Sequence, residues 1–251
     1  MLCRGARFRR GLLLNAVNRD LARRATAEAL GTAFLVAVVV GSGIAAQRLS
    51  PGDRGLELLE NSIATGAALV ALILAFGSVS GAHFNPVVTI ADRVLGGTTT
   101  RDALAYSAAQ VVGACVGAMV ANLMFELPAA TWSTHARSSG ALWLAEVVAT
   151  FGLVLVILGV VRSSRPTTAP FAVGGYIAAA YWFTSSTSFA NPAVTVGRAL
   201  TDTFAGIDPA SVPMFVLMQI AGGLAAAGVA RFLFPDIAVA DVVVPHDGEV
   251  R

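Results

Sequence analysis

Lysine is missing from this sequence: all seventeen basic residues are arginines. Physics does not demand that choice, and it points to the compositional bias of a GC-rich, bacterial genome. Charge of either sign is scarce, at 13% of 251 residues, while 56% of the chain is hydrophobic. A soluble domain carries about 25% charged residues. With a mean hydropathy of +0.73, the composition excludes a soluble globular domain and makes the chain an integral membrane protein. Cysteine is limited to Cys3, in a basic tail, and Cys115, within an apolar run. That placement argues against a disulfide between them and leaves the redox compartment unread. Also missing are paired catalytic carboxylates, a phosphate loop and a Ser/His/Asp arrangement, so enzymatic chemistry has no recognisable seat. His135 and His246 have no partner at metal-ligand spacing. The sequence therefore asks for no metal, no cofactor and no nucleic-acid partner.

What the chain does have is long apolar runs, predicted as membrane spans at residues 25–46, 62–80, 103–125, 141–161, 169–187 and 211–233. Residues 1–24 carry seven arginines among Phe8, Leu12, Leu13, Leu14, Val17 and Leu21, a basic, partly amphipathic lead-in suited to the cytoplasmic membrane surface. A cleavable leader ending near Gly43-Ile44-Ala45-Ala46 competes with that reading, but the internal repeat needs the span it would remove. With the N-terminus inside, the cytoplasmic side collects thirteen arginines and the other side four, Arg48, Arg54, Arg137 and Arg198. This asymmetry predicts that both termini are cytoplasmic.

Two short stretches organise the rest, Asn85-Pro86-Val87-Val88-Thr89 and Asn191-Pro192-Ala193-Val194-Thr195. Each follows an apolar run and leads into about ten helix-compatible residues, a rise of roughly 15 Å and half the hydrocarbon core. Asn is a preferred N-cap and Pro suits the first helical position, so each stretch predicts a helix start. Irregular backbone feeding a half-helix at membrane depth is tolerated only where it is buried in protein or lines a cavity.

The halves repeat. Glu28 pairs with Glu146, Asn85 with Asn191 and Gln110 with Gln219, at offsets of 118, 106 and 109 residues. Three spans per half put the second half into the membrane upside down relative to the first. The two half-helices then meet N-terminus to N-terminus, with roughly half a positive charge at each end. Amide donors of Asn85 and Asn191 suit a neutral solute with a lone pair, whereas a cation meets two positive ends. Buried turns in a helical membrane enzyme compete with this reading. Glu28 and Glu146 read either as braces for irregular loop backbone or as proton carriers. His83 reads either as a titrating residue at the cytoplasmic mouth or as a packed, hydrogen-bonded histidine. Gly113 and Gly117 frame Cys115 in a close-packing motif, and Tyr181 and Trp182 read as packing or lipid-interface residues.

Glu28 and Glu146 in their AExxxT contexts, the loops HFNPVVT and FANPAVT, and Gln110 and Gln219 together resemble the aquaporin family of major intrinsic proteins over residues 25–235. The resemblance implies an all-α membrane fold of six spans and two re-entrant half-helices. It divides the chain into a basic tail (1–24), a first repeat (25–130), a second repeat (141–235) and a cytoplasmic tail (236–251). It implies a passive channel, surrounded by lipid, in a homotetramer with one pore per subunit. Pro86, Val87, Pro192 and Ala193 fall at the pore centre with the two asparagines. Val87 replaces the family's alanine and is expected to make that waist bulkier. Glu28 and Glu146 become structural carboxylates, with Gln110 and Gln219 beside them. Counting from the two asparagines places the selectivity filter at Thr65, Ala179, Ser188 and Val194. Water-selective relatives have an arginine where Val194 stands, and some are blocked by mercurials at a cysteine where Ser188 stands. Arg198, one turn beyond Val194, is expected at the outer rim, which leaves the filter wide and mildly polar. Glycerol-conducting relatives carry an acidic residue where Thr195 stands. The combination is most similar to bacterial members associated with arsenic-resistance genes, which implies neutral metalloid hydroxides such as arsenious acid, or methylated arsenicals, with glycerol or water. An ordinary water channel and a non-conducting structural or adhesion protein on the same fold remain as alternatives.

Overall fold

The computed structural model describes residues 2–162 and 166–234, with side chains from Asn18 onward except that of Pro166. The 236–251 tail and the Arg165 stop of the fourth span lie outside the described residues. Eight α-helices follow one another among the described residues: α1 (Leu2–Leu49), α2 (Arg54–Ser80), α3 (Pro86–Leu95), α4 (Thr100–Met124), α5 (Gly140–Arg162), α6 (Ala169–Phe183), α7 (Pro192–Arg198) and α8 (Val212–Leu233). Their ends follow local chemistry. Asp53 caps α2 by accepting from the Leu56 N–H, and Gly81 ends it in the left-handed conformation at φ 85°. Thr99 caps α4 by accepting from Asp102. Asn85 and Asn191 cap the half-helices α3 and α7, each followed by its proline.

Three boundaries differ from the sequence expectation. Helix α1 does not start near residue 25 but continues back through the basic tail to Leu2. Nothing there stops it, since the first fifty residues contain no proline and arginine is a good helix former. Among the described residues, five helices are long and apolar enough to cross a membrane. The expected fifth span, 169–187, ends instead at Phe183 as the 15-residue α6. Thr184 leaves the helix in extended conformation, and Thr187, Ser188 and Ala190 take positive φ. These residues build a loop rather than a helical turn. Helix α7 is only 7 residues long, shorter than its partner α3 at 10.

The helices pack as two interlocked halves. Helix α1 lies against α2 and α4, while α5 lies against α8 and α6. A side-chain carbon on Gly113 or Gly117 of α4 would lie 2.2 or 2.1 Å from the carbonyls of Ala29 and Ala33 on α1, and one on Gly222 of α8 would lie 2.4 Å from Val147 O on α5. Only glycine permits those backbone approaches, the small-residue packing of membrane helices. The half-helices cross over: α7 packs on α4, and α3 packs on both α4 and α8. The outward faces are apolar, with Leu104, Val112 and Phe232 exposed. Buried Glu28, Gln110, Glu146 and Gln219 reach from the helices to the central loops and the half-helices that follow them. This is a multi-pass, all-helical membrane fold.

Candidate functional site

The site grows from two strained loops. Ala82 and Phe84 in the first loop, and Ser188 and Ala190 in the second, sit at φ values of 48–50°, a region that L-residues adopt at a cost of roughly 1–2 kcal/mol each. Buried carboxylates hold this backbone. Glu28 accepts from the N–H groups of His83 (3.0 Å) and Phe84 (2.7 Å), from Ser80 Oγ (2.6 Å) and from Gln110 Nε2 (2.7 Å). Glu146 accepts from the N–H groups of Phe189 (3.0 Å) and Ala190 (2.9 Å) and from Gln219 Nε2 (2.6 Å). The two glutamines also donate to Thr89 and Thr195, whose hydroxyls donate to the carbonyls of Asn85 and Asn191. Each carboxylate thus has the geometry of a loop brace, every contact satisfied by a donor from its own repeat.

The asparagines then join the repeats. Asn85 Oδ1 accepts from the Val87 N–H at 2.9 Å and Asn191 Oδ1 from the Ala193 N–H at 3.0 Å, closing the caps. Asn85 Nδ2 donates across to the Ala190 carbonyl at 2.7 Å, and Asn191 Nδ2 to the Phe84 carbonyl at 2.8 Å. An amide nitrogen has two N–H groups. One on each side is therefore fixed in the cross-brace, and the other is left to serve a molecule in the cavity.

That cavity has a volume of ≈ 60 Å³ for water-sized occupants and is lined by residues of both loops, with Asn85 and Asn191 among them. Its walls are largely apolar, including Leu69, Ile73, Leu153, Ile157, Val173 and Ile177. His83 lines it as well, and the ring is simultaneously packed: Nδ1 lies 3.0 Å from Thr89 Oγ1, Nε2 lies 4.0 Å from Asp92 Oδ2, and Tyr106 meets it edge-on. These contacts describe the packed, hydrogen-bonded reading of this histidine.

Among the predicted filter residues, Thr65, Ser188 and Val194 line the cavity. Ala179 does not; it is exposed on the outside of α6. At about 100° per residue, the inward stripe of α6 runs through Val173, Ile177 and Tyr181, and Ala179 lies about 200° from either of the last two. Tyr181 lines the cavity instead, its hydroxyl 3.1 Å from Thr65 Oγ1. It packs in the buried core, as one of its two expected readings has it, and faces the cavity as well. Ser188 Oγ is buried without a hydrogen-bond partner.

Arg198 is also corrected. It does not stand at a rim but is 2% exposed and lines the cavity. Side chains on a helix tilt toward its N-terminus, so this long side chain reaches back from the last residue of α7. Its Nε donates to Ala205 O, and its Cζ lies 3.4 Å from the centre of the Phe189 ring. Val87 is a third correction. It is absent from the cavity lining and packs instead on α8, where a side-chain carbon on Gly223 would lie 2.1 Å from Val87 Cγ1. Its extra bulk is absorbed outside the waist.

Beside Arg198 lies a residue that sequence reasoning did not single out for the site, Arg137, in the loop after α4. Its Nε donates to Gly206 O at 2.9 Å, its Nη1 to Ser186 O at 3.4 Å, and its Cζ lies 5.0 Å from the same Phe189 ring. Burial holds this guanidinium below its ordinary pKa. Nearby, the Thr134 N–H and hydroxyl bind Asp202 at 2.8 and 3.0 Å. Led by the backbone hydrogen bond, they hold its carboxyl below the usual range.

Comparison with known proteins agrees with this geometry. Residues 15–190 match the sequence profile of the Major intrinsic protein family. The chain is 51% identical over 214 residues to an aquaglyceroporin, AqpS, of Rhizobium meliloti, covering 85% of this chain and 91% of that one. It is 31% identical to a probable aquaporin, AqpM, of Archaeoglobus fulgidus, covering 85% and 97%. The fold superposes on the X-ray structure of the aquaglyceroporin from Plasmodium falciparum with a TM-score of 0.65 at 20% identity, covering 87% of this chain and all of that one. The chain belongs to the major intrinsic protein family, whose aquaglyceroporins are channels and not enzymes.

Proposed function

We propose that the protein is a passive channel for small uncharged polyols and metalloid hydroxides, passing glycerol, arsenious acid or methylated arsenicals as well as water. One observation carries the reading: a cavity walled by aliphatic side chains has at its middle two asparagine amides with one N–H each to offer. A solute with several hydroxyls and little charge matches that lining. Near Arg198, Ser188 supplies an unpartnered hydroxyl, and Val194 stands where water-selective relatives have arginine. Tyr181 and Arg198 narrow this end more than a filter of four small residues would, so the solutes admitted are compact. The capped ends of α3 and α7 face each other here, and their partial positive charge disfavours cations.

In this reading residues 48–60 and 129–140 face outside and both termini face the cytoplasm, following the arginine asymmetry. Four copies assemble as a homotetramer in the bacterial inner membrane, each with its own pore. A stopped-flow panel of water, glycerol, urea and arsenite on purified protein in vesicles tests the reading. Glycerol and arsenite should both pass. Passage of water alone would assign an ordinary water channel, and passage of nothing would favour a structural protein.

A further inference from the structure

We propose that Arg137 is a second charge-selecting residue of this channel, acting with the cavity-lining Arg198 beside the second loop; the inference rests on the channel reading above. Both guanidinium carbons sit over the ring of Phe189, at 5.0 and 3.4 Å from its centre, so the two charges are separated by no more than the sum of those distances. Phe189 and Arg198 line the cavity, and Arg137 stands against the same ring just outside that lining.

Two like charges this close are normally balanced by a carboxylate. Here, among the described residues, neither arginine has an acidic group within ion-pair distance. Glu146, the α5 acid that braces the second loop, is held by three neutral donors of its own repeat, which leave its charge in place facing both guanidiniums at longer range. Carbonyl oxygens of the adjacent residues Ala205 and Gly206 hold the guanidiniums in place, and the face of Phe189 is attractive to cations. Carbonyls and a ring satisfy hydrogen bonds and orientation but bring no net negative charge. Glu146 offsets only one of the two charges, so this end of the cavity keeps a net positive potential in surroundings of low dielectric, where Coulomb forces are strong. A neutral solute is indifferent to it. A proton or alkali cation must pass Arg198, with the charge of Arg137 held against the same Phe189 ring, before it reaches the facing half-helices. Arg137 comes from the loop between the repeats and has no counterpart in the motif pattern, so its charge adds a barrier to the one set by the capped helix ends.

The test uses the full-length chain in vesicles, with glycerol uptake and potential-driven proton leak measured on the same preparations. Arg137→Gln removes the charge, and Arg137→Met removes it while keeping an apolar stem over Phe189. Arg137→Lys keeps the charge, and Arg54→Gln removes a highly exposed arginine as a control for general surface charge. We expect proton leak relative to glycerol flux to rise about tenfold in whichever neutral variant folds and still passes glycerol, from removing one charge at this range. The Lys and Arg54 variants should stay near the parent. An unchanged ratio in the neutral variants, or an equal rise in the Lys variant, would overturn the proposal, the latter by assigning Arg137 a purely geometric role. A parent that passes no neutral solute would overturn the channel reading and this inference with it.

Discussion

The loop before α3 and the loop before α7 have matching backbones and different neighbours. Both pass through left-handed residues at equivalent places, both are held by a buried glutamate and glutamine, and both end in an asparagine cap. Around that shared frame the side chains diverge. The first loop has His83 and Phe84 where the second has Phe189 and Ala190, and Val87 where the second has Ala193. The large groups are accommodated by glycines elsewhere: a side-chain carbon on Gly31 would lie 1.9 Å from the Phe84 ring, and one on Gly223 would lie 2.1 Å from Val87. At the positions equivalent to Val87 and Gly223, the chain has Ala193 and Ala114, both fully buried. The repeat thus conserves donors and backbone while exchanging volume across its axis. Polar chemistry is the invariant of this architecture, and packing is its variable.

The comparison is broken most directly at the braces. Glu28 accepts four hydrogen bonds and Glu146 three, so Glu28→Ala should destabilise more, at about 1–3 kcal/mol for each buried donor left unsatisfied. Thermal unfolding of the two variants in detergent decides this, and a larger loss from Glu146→Ala would mean that the extra Ser80 bond contributes nothing. The next effect concerns the exchanged volumes. Gly223→Ala should cost about 1–3 kcal/mol by overpacking, and Val87→Ala in the same chain should restore most of it. Additive losses in that double variant would show that the two sites are not complementary.

Ser188 and Ala82 occupy equivalent loop positions, and both line the cavity. Cysteine at either should confer block by a membrane-impermeant mercurial, Ser188→Cys from the outside and Ala82→Cys from the inside. The parent should be insensitive, since Cys115 lies on α4 away from the lining. Block of both variants from one side would reject the inverted arrangement. The smallest effect is expected in the Thr134–Asp202 clip, which ties the loop between the repeats to the second repeat and has no counterpart among the paired motifs. A carboxyl whose folded pKa is depressed contributes stability above its unfolded value of about 3.9 and loses it as pH falls through the lower folded value. The clip should open only below about pH 4, whereas Asp202→Asn should remove that acid transition. Hydrogen exchange at Thr134 reads both.

The shared frame was legible in the sequence because it consists of polar residues in apolar surroundings. Glu28, Asn85 and Gln110 stand out there, and their partners recur in order in the second half. What was not legible depended on side-chain direction. Ala179 was reached by counting back from Asn191, but α6 ends at Phe183 and the intervening loop does not keep helical phase, so the inward stripe fell on Tyr181. Arg198 was placed by its position along α7, whereas its guanidinium lies well back from its own Cα. Val87 was read as a pore residue because its neighbours are, yet its side chain leaves the axis toward Gly223. Arg137 sits in a loop with no periodicity, and only the fold brings it to Phe189.

The crossed amides also bear on the order in which the protein can be made. Asn85 has its acceptor at Ala190, more than a hundred residues later, and Asn191 has its acceptor back at Phe84. A ribosome that has released only the first repeat has produced a loop whose carbonyl and amide at this depth still await their partners. The nascent first half must hold that unfinished surface away from lipid until residues 190 and 191 arrive, so the open passage is created in one late event and no half-built pore precedes it.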